Sequence, residues 1–147
     1  MEARVTGLYL ARQRKAPRES VEEVELVAEH GVRGDAYAGP GARQLVFFET
    51  RAREALEAAL ADGLCYARFH ENVRVADLEL AALEPGDRLW LGEAMVEITS
   101  ARKRCYAECP LGPDDCAIRG RVAFARVVTG GRVSVGTEVR RGPAAAG

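Results

Sequence analysis

The sequence predicts a mostly antiparallel, barrel-like β domain with one or a few short helices. Three observations carry that prediction. Short apolar runs of strand length recur along the chain, most of them bounded by glycine, proline or polar turn residues. Only residues 51–61 show sustained helical periodicity. The chain has 147 residues and no internal repeat, enough for one core, so residues 1–141 are expected to form a single domain and 142–147 a disordered tail.

Taken in order, Val5, Leu8 and Leu10 with Tyr9 predict a first strand and Val21 to Val27 a second, paired as a hairpin across the polar segment Arg12 to Ser20. Gly31 to Gly41 holds four glycines and a proline, which allow positive φ and close backbone approach, so it reads as a shaped loop. It lacks the strand-loop-helix context of a dinucleotide or Walker loop, and no nucleotide site is expected there. Arg43 to Phe48 predicts a strand, and Thr50 a cap for the helix. In that helix Ala52, Ala55, Leu56, Ala59 and Leu60 share one face, and Gly63 stands past its C-terminus. Cys65, between Leu64 and Tyr66, fits a buried, inert thiol.

His70 has no visible partner and reads as a surface or hydrogen-bonded histidine. Glu71-Asn72, which precedes a strand-like run, suits either tying a loop or contacting a polar ligand. Pro85-Gly86-Asp87 marks a turn. Leu89 to Leu91 and Ala94 to Ile98 read as strands joined at Gly92-Glu93, with Trp90, Met95, Val96 and Ile98 in the core. Val122 to Val128 and Val133 to Val139 suggest a closing hairpin around Gly130-Gly131.

The balance of 21 basic and 22 acidic residues gives a net charge of −1, so no global attraction to nucleic acid or anionic membrane is expected and any anion must be held locally. The amino terminus lacks the apolar core of a secretion signal, and no stretch approaches a membrane span. A cytoplasmic location is the expectation, and there clustered cysteines suggest metal or redox chemistry before disulfides.

Such a cluster exists. Cys105, Cys109 and Cys116 are spaced Cys-x3-Cys-x6-Cys, directly after Arg102-Lys103-Arg104. Neighbouring cations favour thiolate, the form that acts as nucleophile or soft-metal ligand, so Cys105 has the best local case. Cys109 and Cys116 adjoin Glu108 and Asp115, whose charge opposes ionisation, and they rank as secondary ligands, resolving thiols or packing residues. Arg102, Lys103, Arg104 and Arg43 are candidates for an anionic ligand group.

The order of Gly34-Asp35-x-x-Ala38-Gly39, Arg43-Gln44, Glu71-Asn72, Leu83-x-x-Gly86-Asp87, Leu91-Gly92 and the basic stretch ending at Cys105 resembles the MOSC domain, the module named after the C-terminal part of molybdenum cofactor sulfurase. The likeness runs from about Gly31 to Val139, and the cysteine spacing looks like that of short stand-alone members. The resemblance implies a pyruvate-kinase-type β-barrel and a cysteine matching Cys105 that ligates molybdenum or carries sulfur. It also implies a site for the molybdenum cofactor that includes Gly34, Asp35, Tyr37, Arg43, Gln44, Glu71 and Asn72. Tyr37 stands where relatives have histidine, so an imidazole's proton transfer or ligation is lost there, although a phenol still donates a hydrogen bond.

Two tasks follow from the resemblance. One is molybdenum-dependent reduction of N-hydroxylated compounds, which needs an electron-donor partner because no flavin, nicotinamide or iron-sulfur signature is present. The other is sulfurtransfer, with Cys105 receiving persulfide from a sulfur-donor protein. A non-catalytic domain with structural zinc on the three cysteines plus His70 or an acidic side chain is an alternative, lessened by the absence of Cys-x2-Cys knuckles. A regulatory module that recognises the cofactor without turning it over is another.

Overall fold

The computed structural model describes residues 2–14, 16, 18–41, 44–51, 71–100 and 122–142. Their regular structure is eleven strands: β1 (Arg4–Leu10), β2 (Glu19–Val21), β3 (Glu23–Val27), β4 (Gly31–Val32), β5 (Leu45–Glu49), β6 (Val73–Ala76), β7 (Arg88–Leu91), β8 (Ala94–Ser100), β9 (Val122–Thr129), β10 (Gly131–Ser134) and β11 (Val139–Gly142). A single 3-10 turn, Leu80–Ala82, precedes the turn at Gly86. Thr50 and Arg51 are helical, and the remainder of the expected helix lies outside the described residues. Among the described residues no helix is long and apolar enough to cross a membrane.

Eight strands form one sheet in the order β11-β7-β8-β9-β5-β6-β1-β2, and β10-β3-β4 form a second. Every pairing is antiparallel except β5 with β6, which run parallel. The large sheet curls back on itself. The Val5 amide donates to the Thr137 carbonyl (2.9 Å), the Val139 amide to Ala3 (2.9 Å) and the Gly136 amide to Val5 (2.8 Å), so the start of β1 meets the approach to β11. This mostly β, curled architecture is the one the strand pattern predicts.

Alternation decides what lies inside. β3 buries Val24 and Leu26 between exposed glutamates, and β7 buries Leu89 and Leu91. β5 and β9, flanked by strands on both sides, bury nearly continuous runs, with Leu45, Phe47, Phe48, Val122, Ala123, Ala125 and Val127 wholly inaccessible. In β1 the alternation slips at Gly7-Leu8, both buried, directly after the bulge between Val5 and Gly7 where the register against β6 shifts.

Several sequence expectations are corrected. Val21 to Val27 is not one strand: it breaks at Glu22, leaving β2 as the hairpin partner of β1 while β3 joins the other sheet. The closing hairpin does not form, because β9 pairs with β5 and β8 whereas β10 pairs with β3. Gly130 and Gly131 carry the chain between the sheets, and a Cβ there would lie 2.7 Å from the Leu26 carbonyl oxygen and 3.1 Å from the Ala94 nitrogen. Only backbone fits through. Trp90 is half-buried on the face opposite Leu89 and Leu91, since period two places neighbours on opposite sides. Gly142 is no tail residue: it ends β11 opposite Arg88.

Candidate functional site

The site is built where the second half of β1 runs alongside β6, below the glycine-rich loop. Asp35 follows the turn at Arg33-Gly34 that leaves β4, and Asn72 immediately precedes β6. The Asn72 amide Nδ2 donates to Asp35 Oδ2 (3.1 Å) and to the Tyr9 carbonyl (3.3 Å), while its Oδ1 accepts the Val46 amide (3.0 Å). Its backbone adds a donation to the Val46 carbonyl and an acceptance from the Tyr9 amide, each at 2.8 Å. One asparagine therefore joins β1, β5 and the loop.

Asp35 completes the tie. Its Oδ1 accepts the Ala11 amide (3.1 Å), and the Ala36 amide donates to the Ala11 carbonyl (2.7 Å). Both side chains are buried, and buried polar groups are tolerated at low cost only when their hydrogen bonds are made. Every polar atom of the Asn72 side chain is used, so the network fixes where the loop leaves the sheet.

Glu71 is equally buried, and its Oε2 accepts Arg74 Nε at 3.1 Å. The Arg74 guanidinium in turn lies 4.7 Å from the centre of the Tyr9 ring. Asn72 thus ties the loop to the strands, while Glu71 holds Arg74, three residues on in β6.

Gln44, the residue before β5, is 2% exposed. Its Oε1 accepts the Val127 amide of β9 at 2.8 Å, and its Nε2 is buried with no hydrogen-bond partner among the described residues. An amide held by its oxygen, with no acceptor for its N–H2 among the described residues, has donor capacity to spare. Tyr37, two residues beyond Asp35, is 39% exposed, with the guanidinium carbons of Arg14 and Arg18 at 5.1 and 5.3 Å from its ring centre.

The structure therefore brings Gly34, Asp35 and Asn72 together, with Tyr37 two residues along the same loop, Glu71 beside Asn72 in sequence, and Gln44 two residues from the Val46 amide that Asn72 binds. Arg43, Arg102, Lys103, Arg104, Cys105, Cys109 and Cys116 lie outside the described residues, as do Cys65 and His70. Among the described residues no three His, Cys, Asp or Glu side chains are grouped to hold a metal ion. A cavity of about 380 Å³ opens at the other end of β1, lined by Glu2, Ala3, Arg4, Gly136 and Glu138, away from this network. Sequence reasoning passed over Arg14, Arg18 and Arg74. The density of arginine between β1 and β2 was the available signal for the first two.

A curled, mostly β sheet whose glycine-rich loop is stapled to the strands by a buried Asp-Asn pair defines a barrel-type domain. The MOSC domain model matches residues 31–110, more than half of the chain, and the protein belongs to the MOSC domain family. Among solved structures it is similar to the YuaD protein of Bacillus subtilis, at 18% identity and TM-score 0.68, covering 95% of this chain and 94% of that one. It is also similar to YiiM from Escherichia coli (20% identity, TM-score 0.61, 98% and 72% of the two chains). YiiM from Geobacillus stearothermophilus is similar at 13% identity and TM-score 0.64, over 96% and 75%. At these identities the likeness is one of fold. No curated protein matches the sequence significantly.

Proposed function

We propose that this protein binds a molybdenum cofactor-type pterin, with the Cys105 thiolate as its sulfur ligand. MOSC domains are associated with that cofactor, and the matched segment runs from the glycine-rich loop past Cys105 and Cys109. The observation that carries the proposal is Gln44: its buried Nε2 has no acceptor among the described residues, and the carbonyl and ring nitrogens of a pterin are such acceptors. The donor set suits the group.

In this reading the Asp35–Asn72 tie holds the loop at a fixed height, and Gln44 supplies a preoriented donor. Arg43, Arg102, Lys103 and Arg104 neutralise the anionic end and favour the ionised form of Cys105. Cys105, as a soft thiolate, would hold the molybdenum, and Cys109 and Cys116 would stand as its secondary ligands. When bound, the molybdenum centre supplies redox chemistry, the basis for reduction of N-hydroxylated compounds with electrons from a partner protein.

The test is elemental and pterin analysis of protein made in a host that produces the cofactor, with Cys105→Ala alongside. Wild type is expected to carry molybdenum and pterin in near-equal amounts, and Cys105→Ala to lose the metal. Full loading of the variant, or stoichiometric zinc without pterin, overturns the proposal. So does metal-free protein that takes labelled sulfane sulfur onto Cys105, which would instead identify a sulfur carrier served by a donor protein.

A further inference from the structure

The cavity at the start of β1 is lined by charged groups that have found no partner. Glu2, Arg4 and Glu138 border it with Ala3 and Gly136, and its volume is about 380 Å³. That is the lower end of the range that small-molecule sites occupy. All three charged side chains are exposed, and none makes a hydrogen bond or ion pair among the described residues.

Their positions favour pairing. Arg4 and Glu138 face each other across antiparallel backbone. The Val5 amide donates to the Thr137 carbonyl and the Val139 amide to the Ala3 carbonyl, each at 2.9 Å, so the backbone bonds flank the two residues on either side. This is the non-hydrogen-bonded kind of cross-strand pair, in which side chains stand closest. Val5 and Val139 turn into the core, which leaves Arg4 and Glu138 on the outer surface.

Elsewhere in the same sheet, opposite charges so placed do join. Arg88 and Arg126 each stand across from Glu97, and both hold it, at 3.4 and 3.1 Å. Arg4 and Glu138 instead remain apart at the cavity they line. A ligand that offers both signs of charge meets them without breaking an existing pair.

One guanidinium against two carboxylates leaves an excess of one negative charge. The complement is a small molecule with one carboxylate and two cationic nitrogens. A guanidinium takes a carboxylate through two parallel N–H···O bonds, and an ammonium donates to carboxylate oxygens.

We propose that this cavity binds a free basic amino acid of the lysine class. Its carboxylate sits on Arg4, and its α-ammonium and side-chain ammonium groups sit on Glu2 and Glu138. The site shares no residue with the pterin reading and stands without it.

The test is titration of the full-length protein with lysine at low ionic strength, followed by amide NMR. Gly136 is the reporter, since it lines the cavity and its amide donates to the Val5 carbonyl at 2.8 Å. Saturable shifts at Gly136 and Glu138 are expected, with a dissociation constant of roughly 1–10 mM because the charge pairs are exposed. Each such pair contributes up to about fivefold, so Arg4→Gln should weaken binding about threefold or more, and Glu2→Gln with Glu138→Gln about tenfold. Arg132→Gln makes the same change of charge outside the cavity, at a residue paired with Glu23, and should bind as wild type does. Binding should also fade toward 1 M salt.

Two relatives of lysine test the assignment of groups. Cadaverine lacks the carboxylate and Nα-acetyl-lysine lacks the α-ammonium, and each should bind several-fold more weakly than lysine. Equal binding of either one overturns the proposal, because the site would then not read an amino acid. So does the absence of saturable shifts at the cavity amides of wild type, or undiminished binding by Arg4→Gln. The substituted side chains are exposed, so the variants should melt with wild type. Should Arg4→Gln melt lower, Arg4→Lys keeps the charge and removes the fork, and wild-type affinity there is equally fatal.

Discussion

Asn72 donates its side-chain amide to the carboxylate of Asp35 across 37 positions of sequence, and through that bond the glycine-rich loop is held against the strands. Asn72→Ala would strip acceptors or donors from Val46, Tyr9 and Asp35 together. Buried groups so orphaned cost 1–3 kcal/mol each before relaxation, so a loss of about 3 kcal/mol is expected in urea unfolding. A double-mutant cycle with Asp35→Ala should return a coupling of about 1 kcal/mol or more; additive losses would show the two side chains to be independent.

Gly31 offers a test of the backbone beneath the loop. Its φ is +123°, and a Cβ placed on it would stand 2.6 Å from the Gln44 carbonyl oxygen. Gly31→Ala combines a backbone conformation that alanine disfavours with a clash against rigid backbone. A loss of roughly 1–3 kcal/mol is expected, together with weaker ligand binding because Gln44 must shift. Gly136 also has positive φ but has nothing near its Cβ position, so Gly136→Ala should cost less in the same assay.

Opposite faces of β7 make a paired prediction. Leu91 is fully buried, and Leu91→Ala should cost about 2–5 kcal/mol. Trp90 points to the other face, beside its cross-strand neighbours Met95 and Arg140. Trp90→Ala should therefore cost only about 1 kcal/mol despite the larger truncation, as cross-strand pairs do. Equal losses would mean that both faces are buried.

A chain of charges crosses β7, β8 and β9. Glu97 accepts from Arg126 Nε (3.1 Å) and Arg88 Nε (3.4 Å), and Arg126 also pairs with Glu29. The Arg126 guanidinium is held above its ordinary value, first by the hydrogen bond to Glu97 and further by both carboxylates, against some desolvation. For a cation whose folded value is raised, the stabilisation is complete below the unfolded value and fades only as pH climbs through the folded one. Stability should thus show no alkaline loss from Arg126 across the neutral and mildly basic range. Glu97→Gln should cost about 1 kcal/mol at low salt, a difference that shrinks toward 1 M salt, as thermal melts at the two ionic strengths would record.

Much of this was legible in the chain. The β7–β8 hairpin follows from strand alternation on both sides of Gly92-Glu93, and the turn at Gly86-Asp87 from its residues, with Asp87 Oδ2 accepting the Glu84 amide. Asp35, Gln44, Glu71 and Asn72 were picked out by the order of motifs that resembles the family, Glu71-Asn72 also as an adjacent carboxylate and amide. Their contacts were not readable, because a hydrogen bond between positions 35 and 72 leaves no local periodicity. For the same reason β9 and β10, neighbours in sequence with a two-glycine link, read as a hairpin and fold into different sheets.

By itself the sequence determined a mostly β domain, since strand alternation and turn chemistry are local properties of the residues, and the order of its short motifs carried the resemblance to the MOSC family. The tertiary structure alone decided which strands are neighbours, that one buried asparagine ties three segments together, and that two arginines from a polar connection meet on one tyrosine. Those outcomes depend on where the curled sheet returns the chain, and long-range closure is set by the packing of the whole core.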